Sequence, residues 1–205
     1  REGAFSELES SVMVPPKNDD TLNIIEFVNL EILPYKNSCM TIGNFDGVHR
    51  GHQALIHELV RKTSAHANPV IVITFSPNPS DFFQPNIDSF YLATPAEKEA
   101  ELCHLGIDRV ITFRFDQDFA NLTAREFLSA LKQKLGLTLL IVGEDFALGK
   151  DRKGTIDVIR SIGQEMSFFV ETIAPINLGS ETISSTKIRQ CLDEGNLACA
   201  TKMLG

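Results

Sequence analysis

Polar and apolar positions alternate in two different rhythms along most of this chain. Short runs rich in apolar and β-branched residues recur: CMTI (39–42), VIVITF (70–75), RVITF (109–113), LLIVG (139–143) and SFFVETI (167–173). They are apolar on both faces, as suits strands of a parallel sheet covered by helices on each side. Between them lie segments with apolar residues at helical spacing. Leu55, Ile56, Leu59 and Val60 form one stripe within 52–66, and Ile156, Ile159 and Ile162 another within 155–166. Start and stop signals agree with these periods. In TPAEKEAELCHLG, Thr94 caps, Pro95 takes the first helical position, Glu97 completes a capping box and Gly106 ends the turn. TAREFLSALKQKLG repeats the scheme with Thr123, Glu126 and Gly136. Such alternation requires right-handed crossovers, so the pattern predicts an α/β fold: a Rossmann-like, doubly wound parallel sheet of about five strands.

Residues 1–21 break the rhythm. They are polar, aperiodic and interrupted by Pro15 and Pro16. This reads as an N-terminal extension, flexible or packed on the surface, ahead of one domain over 22–205. A chain of 205 residues suffices for one substantial core. The formal charge of −8 argues against a nucleic-acid partner, which calls for a basic stripe. No apolar stretch approaches the roughly 18 residues of a membrane helix, and the start has no apolar core of a signal peptide. The cysteines, Cys39, Cys103, Cys191 and Cys199, are scattered with no C-x-x-C pair. Cys39 and Cys103 sit inside apolar patterns, which predicts reduced core residues of a cytoplasmic protein.

An open parallel sheet binds its ligand at the carboxyl ends of its strands, which selects the loops to read. TIGNFDGVHRGH (41–52) follows the first run. Its glycines allow close backbone approach, and it feeds a helix whose N-terminus attracts anions. It carries neither G-x-G-x-x-G nor the Gly-Lys-Ser/Thr of a P-loop, so a tight turn, a phosphate cradle and a metal clip all stand as readings. The metal clip fits least. His49 and His52 are three apart rather than four apart around a glutamate, and no third ligand follows. His57 precedes Glu58, but Arg61 stands where a second histidine would be needed. His57, His66 and His104 read as helix-surface residues.

TFSPNPSDFF (74–83) follows the second run. Pro77 and Pro79 stiffen it, and Phe75, Phe82 and Phe83 offer either a wall for a planar ring or an apolar anchor. VGEDFALGKDRKG (142–154) combines glycines, the pair Asp145–Phe146 and a surface basic cluster of Lys150, Arg152 and Lys153. In ETISSTKIRQCLDEG (181–195), Ser184, Ser185 and Thr186 open a short helix with Ile188 and Leu192 on its apolar face. Those hydroxyls can cap the helix, or hold a phosphate together with Arg189 one turn on.

In this order, TIGNFDGVHRGH, VGEDFALG and ISSTKIR resemble the nucleotidyltransferase module of bacterial FAD synthetases, the bifunctional riboflavin kinase/FMN adenylyltransferases of the HxGH superfamily. The resemblance covers about 22–205. It implies the reaction FMN + ATP → FAD + pyrophosphate, with Mg²⁺ carried by ATP and no metal held by the protein. It also implies an ATP site of Gly43, Asn44, Phe45, Asp46, Gly47, Gly51, Gly143, Asp145 and Ser184. His49 and His52 would face the triphosphate and act in transfer with Ser185, Thr186 and Arg189. Phe75, Pro77, Pro79, Asp145 and Phe146 would border the flavin. The family often has TFDPHP where this chain has TFSPNP, so Ser76 and Asn78 replace Asp and His. Lys187 fills a slot often held by arginine or a small residue. The chain stops at KMLG, where the family continues into a riboflavin kinase barrel, so that domain is expected to be absent from it.

The implied chemistry agrees with the residues. The phosphate of FMN, with a second pKa near ~6, is largely dianionic at neutral pH and needs no general base. Donors and cations that position two anions suffice. The expected partners are small molecules, without nucleic acid or membrane. Two other readings remain: the same chemistry on another phosphorylated acceptor, such as a pantetheine or nicotinamide nucleotide, and a flavin-nucleotide binding module without catalysis.

Overall fold

All the apolar runs become parallel strands of a single sheet in the computed structural model, which describes residues 24–33, 35, 37–63, 68–84 and 90–205. The extension read at 1–21 and His66 lie outside the described residues. The strands are β1 (Ile24–Ile25), β2 (Ser38–Ile42), β3 (Val70–Ser76), β4 (Arg109–Arg114), β5 (Leu137–Gly143) and β6 (Phe169–Ile173), in the order β1-β4-β3-β2-β5-β6. The five longer ones are those read from the sequence. The edge strand β1 is only two residues long, too short for any periodicity to announce. From β2 the chain builds outward through β3 to β4, then returns across β2 to lay down β5 and β6. The order therefore reverses between β2 and β5, the place where an open sheet leaves a crevice.

Successive strand residues serve opposite faces, so each strand feeds two cores. On one face Met40, Ile42, Ile71, Ile73, Leu140 and Val142 meet α5 (Ala124–Leu135) and α6 (Ile156–Met166). On the other, Cys39, Val70, Val72 and Ile141 meet α1 (Arg50–Thr63) and α3 (Pro95–His104). Both expected capping boxes are complete: Thr94 and Thr123 accept from the backbone of Glu97 and Glu126, whose carboxylates return the bond. Gly136 ends α5 in the left-handed region, φ 68°, which a glycine adopts without penalty. Short helices α2 (Pro79–Phe83) and α4 (Gln117–Ala120) decorate the loops. A hairpin of β7 (Asn177–Leu178) and β8 (Glu181–Thr182) leads into α7 (Ser185–Asp193) and α8 (Leu197–Leu204). These last elements share a third, small cluster of Ile183, Ile188, Cys191, Ala200 and Met203.

Three expectations need correction. Cys103 is exposed on α3 rather than in the core, whereas Cys39 is buried as read. The segment 74–83 is not a loop throughout, since β3 runs on to Ser76 and α2 begins at Pro79, a proline placed where its missing N–H costs nothing. The run 167–173 becomes strand only from Phe169, because Ser167 closes α6 in the left-handed region. Among the described residues, no helix is long and apolar enough to cross a membrane.

Candidate active site

The loop after β2 is shaped by close backbone approach. Phe45 is buried in a left-handed conformation, φ 52°, and Gly47 follows at φ 74°. A Cβ on Gly47 would lie 2.9 Å from the Cβ of Leu92, so a side chain there has neither the angle nor the room. A Cβ on Gly51 would come within 3.1 Å of the His49 ring. The glycine of HxGH thus gives that ring space at the start of α1.

His49 and His52 stack at 3.6 Å between centroids, with planes 17° apart. The backbone N–H of His52 donates to Nδ1 of His49 over 3.4 Å, which leaves the proton of a neutral His49 on Nε2. Burial pushes the pKa of His49 down to about 4. His52 is held well below the ordinary histidine value, first by burial and then by the charges of His49 and Lys98. Both rings are therefore neutral near pH 7, and each carries one N–H and no charge. Among the described residues Nδ1 of His52 is buried without a hydrogen-bond partner, a cost on the order of 1–3 kcal/mol.

Asp46 and Arg189, far apart in sequence, meet across this loop. The guanidinium donates to the buried carboxylate of Asp46, and its Nε donates to the carbonyl of Phe90 over 2.8 Å. The other carboxylate oxygen accepts from the N–H of Leu92 at 3.0 Å, and Ser185 donates its hydroxyl to the carbonyl of Asp46 at 2.9 Å. Ser184 caps α7 by accepting from the N–H of Lys187, and Thr186 lies exposed in its first turn. The HxGH loop, the segment 90–92 and α7 are thus tied into one unit. Gln53 adds a tie that the sequence did not announce, donating to the carbonyls of Val48 and Leu204 at 2.9 and 2.8 Å.

Lys98 was also missed. It belongs to α3, a polar helix, and reads as a surface lysine. Its ammonium instead turns inward to the carbonyl of Asn44 at 3.2 Å and the hydroxyl of Thr74 at 3.1 Å. Burial lowers its pKa, against the opposing charge of Asp46. It lines a cavity of about 190 Å³ together with Asp46, Phe75, Asn78 and Tyr91. Phe75 packs edge-on against Phe115 and Phe119, and Phe82 and Phe83 pack edge-on against Phe115. Pro77 is exposed and Pro79 half-buried beside the buried Asn78. Asp145 and Phe146 follow β5, the strand next to β2. Asp145 is exposed with its carbonyl held by Arg152 at 3.2 Å, while Phe146 packs on the first core. Gly143 leaves space for the carboxylate of Asp145, which would sit 3.0 Å from a Cβ there. His57 and His104 are exposed on their helices, as read.

A family model described as FAD synthetase matches residues 33–187. The chain belongs to the FAD synthetase family. Among its relatives, the bifunctional riboflavin kinase/FMN adenylyltransferase of Escherichia coli (strain K12) is 39% identical over 178 residues, 86% of this chain and 57% of that protein. The protein of the same description from Pseudomonas fluorescens is 37% identical over 174 residues, 84% of this chain and 56% of its own length. The chain thus spans little more than half of these relatives. The solved structure of a macrolide-efflux protein from Streptococcus pneumoniae superposes with a TM-score of 0.77 at 28% identity, over 89% of this chain and 60% of that one. Pantoate-beta-alanine ligase from Francisella tularensis, at 16% identity and a TM-score of 0.51, shares the fold.

Proposed function

We propose that this chain is an FMN adenylyltransferase, joining the phosphate of FMN to the α-phosphate of ATP with release of pyrophosphate. The observation that carries the reading is the convergence of the stacked neutral histidines, Ser185 and the Asp46–Arg189 pair on one loop at the reversal of strand order. Family membership supports it, since the relatives described above are named for this activity.

The residues divide the work as follows. Nε2–H of His49 donates to the triphosphate, as a neutral group that needs no proton from solvent. The N-terminus of α1, 14 residues long, adds backbone donors and a favourable dipole for the same anion. Arg189 carries five N–H donors, of which Asp46 and Phe90 engage two, so others remain for phosphate. No residue need act as general base, because the nucleophile is an anion already. The chemistry is in-line positioning with stabilisation of charge on the departing pyrophosphate. Asp145, exposed beside Gly143, and Ser184 at the cap of α7 complete the proposed nucleotide contacts. Phe75, Pro77, Pro79 and Phe146 border the flavin.

Magnesium keeps several waters and binds through substrate phosphates with one or two carboxylates. Such a site asks for no cage of three protein ligands, so the ion would sit on the phosphates of ATP. Bound there with ATP, the ion would neutralise phosphate charge. The free thiols accord with a reducing, cytoplasmic setting.

The test is incubation of the 205-residue chain with ATP, Mg²⁺ and FMN, following FAD by fluorescence and pyrophosphate release in parallel. Phosphopantetheine and nicotinamide mononucleotide serve as competing acceptors. FAD formation is expected with FMN alone. Turnover of another acceptor in preference to FMN, or tight FMN binding without turnover, overturns the assignment.

A further inference from the structure

We infer that Lys98 is the residue that binds the acceptor's phosphate in the cavity beside the HxGH loop, and so selects a phosphorylated flavin over its unphosphorylated form. The inference rests on the function proposed above and names the group that recognises one of its substrates.

An ammonium has three N–H donors. In Lys98 two are directed at neutral acceptors, the carbonyl of Asn44 and the hydroxyl of Thr74. Thr74 in turn donates to the same carbonyl at 3.1 Å, so the two acceptors form a fixed rail that holds the ammonium in place. Lys98 makes no direct ion pair among the described residues. The nearest acid on the loop, Asp46, is taken up by Arg189 and the N–H of Leu92. A cation drawn out of water beside neutral oxygens is unfavourable until an anion joins it. The depressed pKa of Lys98 reports the same dehydration.

The surroundings say which anion fits. The cavity lies between Asp46, on the nucleotide side, and the stretch Phe75 to Asn78, on the proposed flavin side. Its volume of about 190 Å³ is below the roughly 300–1,000 Å³ that encloses a whole drug-sized ligand. It has room for a phosphate with the end of its polyol chain and none for a three-ring system. The ring would remain outside, at the rim formed by the exposed Pro77 and by Tyr91, which is 49% accessible. Asp46 also faces the cavity and would repel a phosphate, but its charge is already matched by Arg189. An acceptor lacking the phosphate leaves the ammonium unpaired.

The experiment measures binding of FMN and of riboflavin, by quenching of flavin fluorescence, to the unaltered chain and to Lys98→Met and Lys98→Arg. The unaltered chain is expected to prefer FMN by about ten- to a hundredfold, the range of a charged hydrogen bond. Lys98→Met should lose that preference through weaker FMN binding, with riboflavin binding unchanged, and Lys98→Arg should retain part of it. In turnover, KM for FMN should rise in Lys98→Met while KM for ATP stays level. A merely structural lysine would weaken both flavins alike and leave their ratio intact, which overturns the inference. An unaltered chain that makes FAD but binds both flavins equally also overturns it, with the proposed activity standing. Failure of the unaltered chain to bind FMN or form FAD removes both.

Discussion

The two ends of the sheet each carry a cavity, and the larger one is the less informative. At the amino end, about 450 Å³ opens among Asn37, Cys39, Lys62, Asn68, Thr138 and Phe169. At the carboxyl end the cavity is about 190 Å³. Yet the larger cavity has its charges settled: the ammonium of Lys62 lies 2.7 Å from Glu171 and 3.8 Å from Glu58. The smaller one borders a lysine without an ion pair among the described residues, and the adjoining loop after β2 holds a buried histidine nitrogen without a partner among them and a stack of neutral imidazoles. Unmet polar demand, rather than volume, marks the end where chemistry is expected. Apolar packing cannot supply such partners, whereas an anionic substrate can.

The comparison breaks first at the Asp46–Arg189 pair. Arg189→Ala leaves a buried carboxylate with a single N–H donor, and should cost about 3 kcal/mol of stability. Urea denaturation checks this, and a loss below 1 kcal/mol would mean the pair does not hold the loop. Next comes His52→Ala, which should lower kcat by about 10²-fold, roughly 2.7 kcal/mol, with the fold intact by circular dichroism. Undiminished FAD formation by a folded variant would count against the site.

Acid should act through the same end. The folded-state pKa of His49 is about 4, against an ordinary 6.5. The unfolded chain therefore gains its proton first. Stability from the neutral ring is full above pH 6.5 and falls as pH drops toward 4, by about 2 kcal/mol between pH 7 and pH 5. The lowered pKa of His52 acts in the same direction. A flatter urea-midpoint profile in His49→Gln over that interval would sharpen the assignment, and an identical slope would contradict it. Gly47→Ala, which forces a positive φ and presses on Leu92, should cost about 1–2 kcal/mol. The smallest effect is expected at the other end. Lys62→Met removes a half-exposed ion pair, so stability should move by less than about 1 kcal/mol and FAD formation not at all. A large activity loss there would undo the contrast between the ends.

Much of this site was legible before any coordinates. The glycines of TIGNFDGVHRGH, the hydroxyls of ISSTKIR and Arg189 lie where the sequence reading set them, on one loop and one helix start. Asp145 and Phe146 were grouped with them by resemblance; they follow β5, the strand beside β2, and Phe146 packs on the same core as Phe75. Ser185 shows why a motif underdetermines a role: its hydroxyl, read as a phosphate donor, is here given to the carbonyl of Asp46.

What the sequence settled by itself is local. Capping boxes at Thr94 and Thr123, the left-handed stop at Gly136 and the apolar runs of the strands depend on residues within a turn of one another, so periodicity and spacing reveal them. The tertiary structure alone decided which charges lose water and what they meet. Lys98 sits on a polar helix and looks like any solvated lysine until α3 packs its stem toward Asn44 and Thr74. Asp46 and Arg189 are 143 positions apart and pair only because α7 folds back over the loop after β2. Dehydration and long-range pairing depend on distances in space, and no local pattern along the chain carries them.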